Sequence, residues 1–165
     1  MIESKNRIYG GTGRHSDRVV FTDVNDLPPV KVPTISDLVG ITEIMTRDVT
    51  CAARDLRAEE IVKLMVHNHI GCIPVIDEAG RPVGMVTKLD LIEQSPKSPA
   101  MTATDVMMPL AMTLGEHASV AHAARMMASE DVHHVPIVDS ERRLIGIVSS
   151  MDIVRWLAKN DGFAP

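Results

Sequence analysis

Aromatic side chains are nearly missing from this 165-residue chain, which has only Tyr9, Phe21, Trp156 and Phe163. Its interior must therefore be filled by aliphatic side chains and by its 11 methionines, and any planar ligand would lie between aliphatic walls. Basic residues are not in excess either: the formal charge is -5 and the pI about 5.8. A general nucleic-acid binder draws its affinity from Lys and Arg set against phosphates, so nucleic acid is not expected as a partner. No run approaches the ~18 consecutive apolar residues of a membrane helix, and "MIESKNRIYG" leads into no apolar signal segment. A soluble, cytoplasmic protein is expected. Cysteine is reduced to Cys51 and Cys72, each in an apolar strand-like run without a Cys-x-x-Cys partner. That pattern predicts two buried thiols rather than a disulfide or a zinc knot.

What is present is a repeat. Met45, Met65, Pro74, Asp77, Gly84 and Asp90 recur as Met107, Met127, Pro136, Asp139, Gly146 and Asp152, all at one constant offset and with no gap. Residues 41–94 and 103–156 share nine identities in 54 positions, and the match in apolar pattern is closer than the match in identity. In each copy a short apolar stretch precedes an amphipathic helix, with core stripes at Ile61, Leu64 and Met65 and at Ala123, Met126 and Met127. Two β-rich runs follow in each: "CIPVID" and "RPVGMVT" joined by "DEAGR", then "HVPIVD" and "RLIGIVS" joined by "DSERR". A second helix closes each copy, "KLDLIEQ" and "SMDIVRWLAKN". The linker "SPKSPAMT" separates the copies. The stretch 1–40, rich in Gly and Pro with balanced charges, reads as an extended arm. The glycines of "YGGTGRH" lack the preceding strand and following helix of a phosphate loop.

Each hairpin runs into its second helix through a hydroxyl and an acid three residues apart, Thr87 with Asp90 and Ser149 with Asp152. Alone this is a capping box, in which hydroxyl and carboxylate satisfy the free amides of the first turn. Three features add a ligand to that reading. A strand leading into a helix N-terminus offers amide hydrogens and a positive dipole end to an anion. An Asp has two oxygens for two vicinal sugar hydroxyls, whereas Glu is the commoner residue for closing a box. Gly84 and Gly146 stand in strand interiors, where close approach of another backbone or of a ligand would explain them.

These residues resemble the cystathionine-β-synthase (CBS) domain in tandem, over roughly residues 41 to 158. The resemblance rests on "GMVTKLD" and "GIVSSMD", on the strands "IPVID" and "VPIVD" after a helix, and on the openings "EIMTRDV" and "DVMMPLA". It implies an α/β (α+β) fold: an arm at 1–40, one CBS unit at 41–97 and a second at 98–160. Each unit is a small mixed sheet with helices on one side, and the two are related by a pseudo-twofold axis with two clefts between them. It also implies an adenine nucleotide, AMP or ATP, with S-adenosylmethionine as a further candidate, held in a regulatory module that modulates a partner protein or its own oligomer. One cleft would use Asp152 on the ribose and Ser149 with the following amides on phosphate. His133 and His134 would stand near the phosphate, and Thr50, Ile70, Gly71 and Cys72 beside the base. The other would use Asp90 and Thr87 with Met112, Val132 and His133 opposite.

Other readings are weaker. His67, His69, His133 and His134 lie between helix and strand in the two copies, but neither their spacing nor that of the cysteines suits a metal, and none is expected. Cys51 with a histidine, or Asp90 with Asp152, could be imagined as catalytic pairs, yet the two Asp belong to separate clefts and no reaction-specific loop is evident. Catalysis is not expected. A structural interaction module with unused clefts is the main alternative. A homodimer through the helices is expected, with Ile153, Trp156 and Leu157 giving the last helix an apolar stripe that suits either a dimer face or the internal core.

Overall fold

The computed structural model describes residues 34–94, 100–109 and 112–160. Most of the expected arm, including "YGGTGRH", and residues 95–99 of the linker lie outside the described residues. The end of the arm is helical: α1 (Ile35–Leu38) starts at Thr34, whose amide and hydroxyl both donate to Asp37 at 3.0 and 2.9 Å. It packs on α5 (Val120–Glu130), where Arg125 reaches Asp37 at 3.1 Å.

The two sequence copies build the same series of elements. In the first, β1 (Ala52–Ala53) leads through α2 (Ala58–His67) to the hairpin β2 (Cys72–Ile76) and β3 (Pro82–Thr87), and α3 (Lys88–Gln94) closes it. After α4 (Ala103–Val106) and β4 (Met108–Pro109), the second runs through β5 (Leu114–Gly115), α5, β6 (His134–Val138), β7 (Leu144–Ser149) and α6 (Ser150–Asn160). Val- and Ile-rich runs make the hairpins, and each turn is tied by one aspartate. Asp77 accepts from the amides of Ala79 and Arg81 at 3.0 and 2.8 Å, and Asp139 from those of Glu141 and Arg143 at 2.9 and 2.8 Å. The turn residue in the left-handed region is Gly80 (φ 77) in one copy and Arg142 (φ 64) in the other.

Both sheets are mixed. In the first, of order β1-β2-β3-β4, β1 runs parallel to β2 and the other pairs are antiparallel. In the second, β5-β6-β7 repeats the pattern, and a single antiparallel bridge from Thr46 to Ile147 stands where β4 pairs in the first. Pro74 and Pro136 are fully buried in β2 and β6. The parallel neighbour begins pairing one residue later, at Val75 and at Ile137, which spares each proline a place inside a two-sided ladder.

The cores do not follow the sequence copies. Ile41 and Met45, which open the first copy, are buried with Leu114, Val120, Val135, Ile137 and Val148 of the second. Ala103 and Val106, which open the second, are buried with Ile61, Met65, Ile73 and Val86 of the first. Burying an aliphatic side chain of this size contributes about 1.5–3 kcal/mol, so each half depends on a segment lent by the other. The same exchange explains the two strand glycines. A Cβ at Gly146 would lie 2.5 Å from Sδ of Met45 and 3.0 Å from the carbonyl oxygen of Thr46. At Gly84 it would meet Met107 even more closely and lie 3.0 Å from the carbonyl oxygen of Met108. Of the two causes expected, the close neighbour is backbone with its methionine.

Trp156 is half-buried against the second core, and Ile153 is buried in it. The outward stripe of α6 is instead Met151, Val154 and Leu157, 52%, 53% and 42% exposed.

Candidate functional site

The end of β7 and the start of α6 set Ser149 and Asp152 in a closed box. Oδ2 of Asp152 accepts from the amide of Ser149 at 2.8 Å and from its hydroxyl at 2.6 Å, and Ser149 Oγ accepts from the Asp152 amide at 3.2 Å. Thr87 and Asp90 repeat this at 2.7, 2.6 and 3.3 Å. The capping role is therefore real in both copies. It is also not special to them, because Thr34 with Asp37 and Thr102 with Asp105 close similar boxes elsewhere. Aspartate suffices to close the box, so the choice of Asp over Glu does not by itself point to a sugar.

The expected supply of free amides is also smaller than the sequence suggests. The amide of Ser149 goes to Asp152, that of Asp152 to Ser149 Oγ, and that of Ser150 to the carbonyl oxygen of His133 at 2.9 Å. Only the Met151 amide of that first turn takes no part in these contacts.

What distinguishes Asp152 is its surroundings. A cleft of about 340 Å³, within the size range of small-molecule sites, is lined by residues of both sequence copies. From the first come Thr50, Ile70, Gly71, Cys72 and Pro74 with Thr46, Asp48, Val49 and His69; from the second come His134, Ile147, Ser149, Met151, Asp152 and Arg155. Seven residues expected at this cleft thus meet there. His133 is exposed and contributes its carbonyl to α6 rather than a side chain to the lining. Oδ1 of Asp152 has only a long contact, 3.4 Å, to a guanidinium nitrogen of Arg155.

Burial is the main cause that pulls the His134 imidazole below its usual value; the neighbouring His133 adds to it and Asp152 opposes it. Burial also pushes the Cys72 thiol up to about 12 and raises that of Cys51, so both are poor nucleophiles.

Around Asp90 some positions matching the Asp152 cleft are not among the described residues. Residues 110–111, which match Asp48 and Val49, lie outside them. Val132 packs against the second core, and Met112 lines a surface cavity of about 730 Å³ along α5 with His122, Arg125 and Met126. Cys72 stands where the Asp152 side has His134, and Glu93 where it has Arg155. Among the described residues no group of three His, Cys, Asp or Glu could hold a metal ion, and no helix is long and apolar enough to cross a membrane.

Sequence reasoning missed His69 and Arg155 as cleft residues. His69 takes the left-handed conformation (φ 55) that ends α2 and turns the chain into the cleft. Arg155 was legible in principle, since a residue three after Asp152 shares its helix face.

The family model for the CBS domain matches residues 41–97 and again 103–159. An uncharacterized protein of Methanopyrus kandleri is 31% identical over 121 residues, 71% of this chain and 62% of its own length. The L-aspartate semialdehyde sulfurtransferase of Methanocaldococcus jannaschii is 29% identical over 123 residues, 74% of this chain but 24% of its own. The chain thus spans less than two thirds of these relatives. Among solved structures, the CBS domain pair of protein MJ0100 in complex with 5'-methylthioadenosine and S-adenosyl-L-methionine superposes with a TM-score of 0.66 at 28% identity, covering 73% of this chain and 97% of that one. The cytosolic domain of the Mg2+ channel MgtE in complex with ATP gives 0.64 at 27% identity, covering 72% and 49%.

Proposed function

The chain belongs to the CBS-domain family, and on that premise we propose that it is an adenine-nucleotide-binding regulatory module, with residues 41–97 and 98–160 as its two units. The reading is supported in general by the adenosyl compounds and ATP bound to similar CBS modules. The single observation that carries it to this chain is that Asp152, whose Oδ1 is not used in closing the helix box, lines a cleft shared by both copies. In this reading Oδ1 of Asp152 takes the ribose hydroxyls, Ser149, His134 and the Met151 amide lie toward phosphate, and Thr50, Ile70, Gly71 and Cys72 flank the base. AMP or ATP is the preferred ligand, and S-adenosylmethionine a further one. Asp90 with Thr87 serves a second, less basic site, with Met112, Val132 and His133 on its far side.

The role is regulatory rather than catalytic, in the cytoplasm, and its output is a changed arrangement of protomers or of a partner protein. That output is bounded by the difference in ligand affinity between the two arrangements. A homodimer forms through the exposed Met151, Val154 and Leu157 of α6 with Leu89 and Ile92 of α3. Calorimetric titration of AMP, ATP and S-adenosylmethionine tests the ligand, with saturable binding expected that is lost in Asp152→Ala. Light scattering tests the dimer, which Val154→Glu with Leu157→Glu should dissociate.

One observation favours a second reading, a structural interaction module with unused clefts: the same carboxylate box closes two helices away from the cleft. Absence of binding by all three compounds at millimolar concentration would establish it.

A further inference from the structure

We propose that Arg155 makes the Asp152 cleft selective for anionic nucleosides. Sugar hydroxyls and the Arg155 guanidinium compete for the same carboxylate oxygen, so binding is favoured when the ligand itself brings an anionic group to receive the guanidinium. This rests on the adenine-nucleotide reading above.

The two oxygens of Asp152 are unequal. Oδ2 holds two short hydrogen bonds from Ser149, at 2.8 and 2.6 Å, which close the helix start. Oδ1 has the Arg155 contact at 3.4 Å, from a side chain 69% exposed to one 19% exposed. A long ion pair on so exposed an arginine is weak and easily given up. A diol approaching the carboxylate finds Oδ1 the less occupied oxygen and competes there with the guanidinium. Its planar fork of donors is then suited to phosphate oxygens, and it lies on the cleft wall with His134 and His69.

The other copy supplies an internal contrast. At the repeat-equivalent positions of Arg155, His134 and His69 stand Glu93, Cys72 and Asp131. Glu93 follows Asp90 at the spacing by which Arg155 follows Asp152, placing a like charge on the same helix face where Arg155 offers an opposite one. The same sugar-binding carboxylate is thus paired with a cation in one half and an anion in the other.

Calorimetry with adenosine, AMP and ATP, on the wild-type chain and on Arg155→Gln, Arg155→Lys and Arg155→Glu, tests the assignment. Arg155→Gln should weaken ATP by about tenfold, the scale of one charge-assisted hydrogen bond, while adenosine binds as well as before or better. Arg155→Lys should keep most of the ATP preference, and Arg155→Glu, which copies the Asp90 side, should lose more than Arg155→Gln. Equal weakening of ATP and adenosine would reveal a merely structural arginine and overturn the proposal, as would an unchanged ratio between them. Neither result would touch the nucleotide reading, which fails if the wild-type chain binds neither AMP nor ATP. Circular dichroism melts of each variant show that folding is retained.

Discussion

The two halves of the molecule share a backbone plan and differ in charge. Strand register, hairpin turns, the carboxylate boxes of Asp90 and Asp152, even the irregularity after Val75 and after Ile137, recur at the repeat interval. Where the carboxyl ends of β3 and β7 open outward, the match stops: His134 and Arg155 on one side answer to Cys72 and Glu93 on the other. Duplicated architecture is maintained by packing, which needs only size and apolar character, whereas exposed positions such as Arg155 and Glu93 are ones that packing leaves free to diverge.

The largest effect that would break this comparison comes from removing each carboxylate in turn. Asp152→Ala and Asp90→Ala should cost similar stability, about 0.5–2 kcal/mol, because each removes one helix cap. They should part on binding: Asp152→Ala is expected to weaken AMP or ATP about a hundredfold, Asp90→Ala only slightly, measured by calorimetry beside denaturant melts. Equal losses of affinity would erase the functional distinction between the halves.

Next in size are the glycines, where the halves should behave alike. Gly146→Ala and Gly84→Ala each force a methyl group against a carbonyl oxygen 3.0 Å away and a methionine sulfur. Each should destabilise by about 1–3 kcal/mol, the cost of overpacking, and urea unfolding would detect it. A tolerated substitution at one position alone would show that its exchanged segment is the looser of the two.

The smallest effect belongs to the histidine that only one half possesses. His134 is held below its usual value chiefly by burial and by His133, against the pull of Asp152, with Asp48, His69 and Arg155 facing the same cleft. Without ligand the folded state binds fewer protons than the unfolded chain, so His134 contributes stability that is full above about 6.5 and declines as pH falls through its lowered value. A phosphate beside it acts in the opposite sense, raising its affinity for the proton, so nucleotide should bind a few-fold tighter near pH 6 than near pH 8. Thermal melts and titrations at both pH values should slope in opposite directions. His134→Gln should flatten both, and parallel slopes would place the titrating group elsewhere.

The architecture was legible because apolar periodicity and turn chemistry act locally, as "CIPVID-EAG-RPVGMVT" does in forming β2, its Asp77-tied turn and β3. The exchange of openings was not, since nothing local in "ITEIM" says which of two similar cores it will enter. The carboxylate boxes were readable as caps. Their orientation was harder to read, because whether one oxygen is left facing a cleft depends on segments distant in sequence. His133 and His134 looked equivalent as neighbours, but strand alternation sends one imidazole to the cleft wall and leaves the other exposed.

The reciprocal loan of Ile41 with Met45 and of Ala103 with Val106 has a consequence for how the chain can be divided. During synthesis the first sheet stays one segment short until Met108 and Pro109 have emerged to form its outer strand. A gene cut at the repeat boundary would yield two fragments, each missing a part of its interior and carrying a part of the other's, so neither repeat by itself is a unit of folding.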